Sequence, residues 1–171
     1  MPNDAVDPAI FAPLKTERLT LRALRPEDAE DMHRLVNDWD VVRTLAVVPY
    51  PYDRDLADEW IASVRRDLSS GRAYHVAITG DDNGTELLLG VIGLDVDTGR
   101  RTGRLGYWIG RRFWGHGVAK EAAGRFVSWA LANLDIDRIE AHVDKENPAS
   151  AAVLRGIGNF EKASRGTPDS E

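Results

Sequence analysis

The chain of 171 residues contains no cysteine. This absence excludes disulfide bonds, zinc sites built on thiolates and a cysteine nucleophile. Long hydrophobic runs are also lacking, and no apolar segment approaches the roughly 20 residues that a membrane-spanning helix needs. Residues 1–7 have neither the basic n-region nor the apolar h-region of a signal peptide. We therefore expect a soluble, cytoplasmic protein that does not act at a membrane.

Positive charge is in short supply as well. The 22 lysines and arginines stand against 28 aspartates and glutamates, which gives a net charge of −6. Nucleic acid is therefore not expected as a partner, because neutralising phosphates takes a basic surface. The length predicts one domain, and no internal repeat or low-complexity linker divides it. We assign residues 1–13 to a flexible lead-in, 14–160 to the domain and 161–171 to a short polar tail.

The pattern of apolar residues predicts one mixed, mostly antiparallel sheet flanked by helices, an α/β (α+β) fold. Strands are predicted over residues 17–24, 73–78, 87–96, 104–109 and 138–143, and helices from residue 25, over 55–68, from 117 and over 148–157. The run at 87–96 is almost continuously apolar, so we expect it at the centre of the sheet. Asp81–Gly84 is typical of a hairpin turn.

The strongest helix signal follows Gly117. Its apolar positions recur at helical spacing and form one unbroken stripe: Ala119, Ala122, Ala123, Phe126, Val127, Ala130, Leu131 and Leu134. The segment immediately before this helix reads Arg112-Phe113-Trp114-Gly115-His116-Gly117-Val118-Ala119. Two glycines two residues apart allow a tight turn, and the helix beyond adds unpaired N–H groups and the positive end of its dipole. The pattern fits a site for a diphosphate, and it fits an ordinary glycine-rich loop as well.

Two other phosphate-binding patterns fit the glycine turn less well. The chain has no Gly-x4-Gly-Lys-Ser/Thr sequence, which excludes a P-loop. A dinucleotide-binding unit would place the turn after the first strand of a βαβ pair. Several strands precede the turn here, and little chain remains to complete a doubly wound sheet.

Three segments of the chain, the glycine turn, residues 15–22 and residues 147–158, together resemble the GNAT superfamily of N-acetyltransferases. The glycine turn, with Glu121-Ala122 after it, resembles motif A of that family. Residues 15–22, Lys-Thr-Glu-Arg-Leu-Thr-Leu-Arg, look like the first strand of its Rim-type branch, which acetylates protein N-termini. Asn147-Pro148-Ala149-Ser150, followed by Val153-Leu154 and Gly158, resembles the asparagine-helix motif of the same branch.

The resemblance implies acetyl-CoA as co-substrate. The turn would hold the pyrophosphate of coenzyme A, and the preceding strand would pair with the pantetheine arm through its backbone. The implied cofactor-binding residues are Tyr107, Trp108, Ile109, Arg112, Phe113, Trp114, Gly115, His116, Gly117, Val118, Ala119 and Asn147. Asn147 is also placed to cap the helix predicted after it, whether or not it contacts the cofactor.

In this family the acceptor amine attacks the thioester directly, so no nucleophile on the enzyme is needed. Our first candidate for the general base is His142, which has a suitable pKa and precedes Asn147 by five residues. Asp95 is the second candidate, with Glu140 as another carboxylate. Ser150 matches a serine that would protonate the leaving thiolate. Each of these residues also fits a purely structural role.

The expected acceptor is a peptide N-terminus or a small amine. Ten acids crowd the region of the first two helices: Glu27, Asp28, Glu30, Asp31, Asp38, Asp40, Asp53, Asp55, Asp58 and Glu59. We interpret them as an acidic lip for a cationic amine, or as a solvated helix face. Five arginines gather near the glycine turn: Arg100, Arg101, Arg104, Arg111 and Arg112. A phosphate role is favoured only for Arg112. No metal site is expected, because His33, His75 and His116 form no ligand pattern.

The chain departs from the family near its C-terminus. Gly158-Asn159-Phe160 carries one residue more than the usual Gly-Phe, and Leu154 stands where other branches have a catalytic tyrosine. Only residues 161–171 follow, which leaves room for at most one strand where the family has two. Either a partner chain fills the gap in a homodimer, or the sheet ends early, or activity is impaired. A non-catalytic acyl-CoA-binding or regulatory module is therefore the alternative to an enzyme.

Overall fold

The computed structural model describes residues 11–45, 48–144 and 161–165, with side chains through residue 141. Its strands are β1 (Leu14–Lys15), β2 (Leu19–Ala23), β3 (Ala73–Asp82), β4 (Thr85–Asp97), β5 (Thr102–Ile109), β6 (Arg138–Asp144) and β7 (Glu161–Arg165). Its α-helices are α1 (Ala29–Val36), α2 (Trp39–Val42), α3 (Arg54–Ser70) and α4 (Val118–Asn133). Short 3-10 turns cover Pro26–Asp28 and Arg111–Phe113.

The seven strands form one sheet in chain order, β1 to β7. Neighbours from β1 to β5 are antiparallel, whereas β5–β6 and β6–β7 are parallel. The parallel step from β5 to β6 takes a crossover, which α4 supplies. The predicted mixed, mostly antiparallel sheet with flanking helices is confirmed, and β4 is central as expected.

Helices cover both faces of the sheet, and each face carries its own apolar layer. On one face, Ala122, Phe126 and Ala130 of α4 pack on Ile92 and Ile139 of the sheet. The other layer joins α1 and α3, through Met32 and Ile61, to Ala77 and Val91 of the sheet. The helical stripe predicted after Gly117 thus lies against the sheet. None of the described helices is long and apolar enough to cross a membrane.

Glycines set two of the sharp chain reversals. Asn83 and Gly84 both have positive φ, 51° and 89°, as the tight hairpin between β3 and β4 requires. Gly71, with φ of 75°, ends α3, and its N–H bonds back to the carbonyl of Leu68 at 3.3 Å. The predicted hairpin is therefore confirmed, whereas α3 includes Ser69 and Ser70, which we had expected to lie beyond it.

Three elements differ from the predicted set or extend it. The two-residue strand β1 and the four-residue helix α2 were not predicted, because both are too short to show a period in the sequence. Strand β7 takes up five residues of the segment 161–171, which the sequence assigns to a polar tail. It is the single strand for which that segment leaves room. The helix predicted over 148–157 lies outside the described residues.

A buried ion pair ties β2 to the chain that leads into α1. Arg22, only 6 % exposed, donates to both carboxylate oxygens of Asp28, at 2.8 and 2.9 Å. It also donates to Glu86 at 2.7 Å. Burial lowers the pKa of the Arg22 guanidinium, but hydrogen bonds to Asp28 and Glu86 outweigh it and leave the pKa above its usual value. Asp28, which we had counted in the acidic lip, therefore belongs to the core.

Replacing Asp28 tests this pair. We expect Asp28→Asn to lower the free energy of unfolding by about 3 kcal/mol, because it leaves a buried guanidinium without its main counter-charge. Urea denaturation followed by circular dichroism measures the loss. Asp31→Asn, which removes an exposed pair with Arg34, is the matched control and should cost about 0.5 kcal/mol or less. Equal losses in the two variants would contradict this description of the core.

Candidate functional site

The sheet opens between β5 and β6. The pairing of these two parallel strands begins where Thr102 lies opposite Arg138 and ends where Leu105 lies opposite Ala141. Beyond that point β5 continues to Ile109 in register with β4, and β6 continues in register with β7. A wedge is left between the two strands, at the end where β5 runs into the glycine turn. Residues 106–109 of β5 form one side of this wedge.

The glycine turn joins β5 to α4. Gly115 and Gly117 have positive φ, 80° and 74°, a conformation that side chains strongly disfavour. Gly117 is the N-cap of α4, and no side chain caps this helix. Within the described part of the chain, the N–H groups of Val118, Ala119 and Lys120 have no hydrogen-bond acceptor. The turn therefore offers several N–H donors and the positive end of a helix dipole to an anion.

A clamp of side chains fixes the direction of the turn. Arg18 donates to the carbonyl of His116 at 2.9 Å. Because a peptide unit is planar and trans, the N–H of Gly117 points away from that carbonyl. Glu121 holds Arg18 in place by accepting a 2.8 Å hydrogen bond from its Nε, and it also accepts a hydrogen bond from the hydroxyl of Thr16. Burial raises the pKa of the Glu121 carboxyl, but hydrogen bonds from Thr16 and Arg18 outweigh burial and leave it below the usual value.

The aromatic residues of the motif hold the turn against β5. The indole N–H of Trp114 donates to the carbonyl of Ile109 at 2.8 Å, and the N–H of Gly110 donates to the carbonyl of Leu89 at 2.8 Å. The guanidinium of Arg112 lies over the ring of Phe113, 4.7 Å from its centroid, with the side chain exposed. Trp114 and Phe113 thus support the turn, while Arg112 remains accessible to an anion.

The acids near α2 meet an arginine of the turn. Arg111 lies 3.3 Å from Asp40 and 3.9 Å from Asp38, and Asp38 also accepts the N–H of Asp40. These two acids therefore connect α2 to the turn, and their charges are locally compensated. Arg101 pairs with Asp135 and Asp137, so it binds the loop before β6 instead of the turn.

The predicted catalytic residues separate into two groups. Asp95 lies on β4 and accepts a hydrogen bond from the imidazole of His75 at 3.1 Å. His142 lies on β6 in register with Ala163, while its side chain, together with Asn147 and Ser150, is outside the description. His75 was not predicted as a site residue. Its place in the site follows from its cross-strand register with Gly93, which the spacing of residues along the sequence does not show. No three acidic or histidine side chains among the described residues are grouped to hold a metal ion.

Comparison with known proteins agrees with this geometry. A family profile described as "Acetyltransferase (GNAT) domain" matches residues 18–159. Among curated proteins, "Uncharacterized N-acetyltransferase p20" from Bacillus licheniformis is 33% identical over 153 residues, which cover 87% of this chain and 82% of that protein.

Two solved structures share the fold. One is RimL, a ribosomal alpha-N-protein acetyltransferase in complex with coenzyme A, with a TM-score of 0.74 and 20% identity; the match covers 84% of this chain and 81% of that one. The other is a spermidine N-acetyltransferase from Vibrio cholerae with coenzyme A and spermine, with a TM-score of 0.71 and 22% identity; the match covers 84% of this chain and 81% of that one. At these identities they establish the fold alone.

The clamp predicts a pH-dependent contribution to stability. Because the folded state lowers the pKa of Glu121, its carboxylate stabilises the fold above the usual glutamate pKa of about 4.3, and this contribution is lost as the pH falls through the lower folded value. We expect Glu121→Gln to cost roughly 1 kcal/mol at neutral pH and less in acid. Urea unfolding of both proteins between pH 7 and pH 3 measures the difference. A difference that stays constant over this range would contradict the clamp.

Proposed function

Because the chain belongs to the GNAT acetyltransferase family, we propose that it is an acetyl-CoA-dependent N-acetyltransferase that moves an acetyl group to a primary amine. The observation that carries this proposal is the wedge between β5 and β6 with the glycine turn at its end. An extended thioester arm fits the wedge, and a diphosphate fits the N–H donors of the turn.

The residues of this region suit coenzyme A in two ways. The pantetheine arm carries amides, and an extended amide chain can pair with the backbone of β5 as an added strand would. The pyrophosphate is anionic, and the N–H groups of Val118 to Lys120 together with the α4 dipole stabilise an anion there. Arg112 is exposed beside the turn and has the forked donors that suit phosphate oxygens.

The chemistry needs a neutral amine, a polarised carbonyl and a proton for the departing thiolate. The amine attacks the thioester carbon directly, so the reaction needs no cysteine nucleophile, and this chain has no cysteine. We retain His142 and Asp95 as candidate bases and Ser150 as the candidate acid. Asn147 is kept as a candidate contact of the cofactor arm.

The acceptor is proposed to be a protein N-terminus or a small cationic amine. RimL, an alpha-N-protein acetyltransferase, and a spermidine N-acetyltransferase share this fold and act on these two kinds of amine. Asp38 and Asp40 are engaged by Arg111, so attraction of a cationic acceptor depends on exposed acids further along, such as Asp55 and Glu59.

Calorimetry with acetyl-CoA and an assay of thiol release test the proposal together. Because the chain has no cysteine, every thiol detected comes from coenzyme A. The acceptors are peptides beginning with alanine or serine, and spermidine, with N-terminally blocked peptides as matched controls. We expect binding, acceptor-dependent thiol release and gain of one acetyl group by mass spectrometry. Binding without release from any acceptor would favour the non-catalytic module, and no binding would contradict both functions.

Two glycine substitutions, one just before the start of α4 and one inside the helix, test the turn itself. Gly117→Ala forces a side chain into a left-handed conformation that costs about 1–2 kcal/mol, so we expect the Kd for acetyl-CoA to rise about tenfold. Gly124→Ala, inside α4 with no described atom within 4 Å of the added carbon, is the matched control and should bind as the unaltered chain does. Equal affinities for both variants would count against the glycine turn as the diphosphate site.

A further inference from the structure

We propose that His75, held by Asp95, is the base that takes the proton from the acceptor amine. This assignment rests on the proposed function and names a residue for one of its steps. The site lies on the face of the sheet that carries α1 and α3, at the point where β5 and β6 begin to separate.

A single row across the sheet brings these groups together. His75 on β3 lies opposite Gly93 on β4, and Gly93 lies opposite Gly106 on β5. Gly106 directly follows Leu105, the last residue of β5 in register with β6. Residues in register share a face of the sheet, so the imidazole and the mouth of the wedge lie on one line, separated by two glycines.

The two glycines give this row its shape. A Cβ built on Gly93 would lie 2.0 Å from Nδ1 of His75, so the imidazole lies directly over the glycine and would have to move if a side chain replaced that hydrogen. A Cβ built on Gly106 would meet no atom of residues 11–45 or 48–141 within 4 Å. None of those residues therefore fills the space beside the imidazole, over Gly106, and we propose that a small group enters there. An amine that approaches the wedge from this face passes over Gly106.

The imidazole is held in one orientation. Its Nε2 lies 3.1 Å from a carboxylate oxygen of Asp95, and the ring of Trp60 on α3 packs edge-on against it, with centroids 5.7 Å apart. A carboxylate only accepts, so the neutral imidazole donates through Nε2–H and keeps its lone pair on Nδ1. Within the described part of the chain, Nδ1 has no hydrogen-bond partner.

The charged residues beside the imidazole lie in one row across β4, β5 and β6. The hydrogen bond to His75 lowers the pKa of the Asp95 carboxyl, so Asp95 is an anion at neutral pH. Arg104 of β5 lies in register with Asp95, and Glu140 of β6 lies in register with Arg104. Trp60, which faces the ring from α3, carries no charge. Asp95 thus places a negative charge 3.1 Å from Nε2 of the imidazole.

The proposed step is balanced as follows. The acceptor ammonium gives one proton to Nδ1 of His75, and the lone pair that this frees forms the new C–N bond at the thioester carbonyl. The C–S bond then breaks, its electron pair stays on sulfur, and the second proton lost by the nitrogen ends on that thiolate. His75 returns its proton to solvent. Asp95, a candidate base above, then acts through His75 as a positioning residue, and His75 takes the role for which His142 was the first candidate.

Kinetics of His75→Gln in the full chain, with the best acceptor among an alanine peptide, a serine peptide and spermidine, test the assignment. We expect kcat/KM at pH 7 to fall by about 10²-fold or more, the range that general-base catalysis supplies. The rate of the variant should keep rising with pH up to the pKa of the amine. The rate of the unaltered chain should instead level off at a lower pH. Imidazole added to His75→Ala should restore part of the rate, which a structural role would not allow.

Two controls make the outcome decisive. His33→Gln changes another half-buried histidine, on α1, and should keep the full rate. Calorimetry with acetyl-CoA should give the same Kd for His75→Gln as for the unaltered chain. Full activity of His75→Gln, or an unchanged pH profile, would overturn the assignment and leave the proposed function standing. If the unaltered chain releases no thiol with any acceptor, the proposed function fails and this assignment fails with it.

Discussion

The incomplete pairing of one strand is the constraint on which the site depends. Strand β5 is in register with β4 through Ile109, but with β6 only through Leu105. Apolar layers on both faces hold the sheet together around this opening, so the wedge persists in a well-packed domain. We propose that an extended amide-bearing ligand pairs with the backbone of β5 at this opening. The glycine turn and Gly106 both lie beside it.

Glycine serves two distinct purposes around this opening. Gly115 and Gly117 are needed for their positive φ, which turns the chain and aims N–H groups at one point. Gly93 is needed for its missing side chain, since the His75 ring occupies the space a Cβ would take. The first purpose offers N–H donors to negative charge, and the second makes room for the imidazole of His75 beside Gly106, where we propose that the amine passes. The two sites lie toward opposite ends of the same short stretch of β5.

Much of the fold could be predicted from the sequence because its elements carry strong periods. The stripe from Ala119 to Ala130 and the apolar run at 87–96 each specify an element and a buried face. Elements without a period could not be found in this way, as α2 and β1 show. The glycine turn was predicted because its residues are adjacent in the chain. His75 and Asp95, twenty positions apart, meet only through the register of β3 and β4.

Charge composition gave a mixed result for a similar reason. Acids are numerous in the region of the first helices, but they do not form one open acidic surface. Asp28 is buried with Arg22, and Asp38 and Asp40 face Arg111. A net charge describes a segment, whereas the partner of each carboxylate is set by tertiary packing. The arginines behave likewise, since Arg101 binds the loop before β6 and Arg18, outside the predicted cluster, holds the turn.

Backbone amide NMR during titration with coenzyme A tests the central claim most directly. If the wedge and the turn form one binding site, the amides of residues 106–109 and 117–120 should shift together and saturate at one Kd. Amides on β1 and at the Asn83–Gly84 hairpin should stay in place. Binding that shifts amides elsewhere, while those two stretches stay unperturbed, would contradict the account.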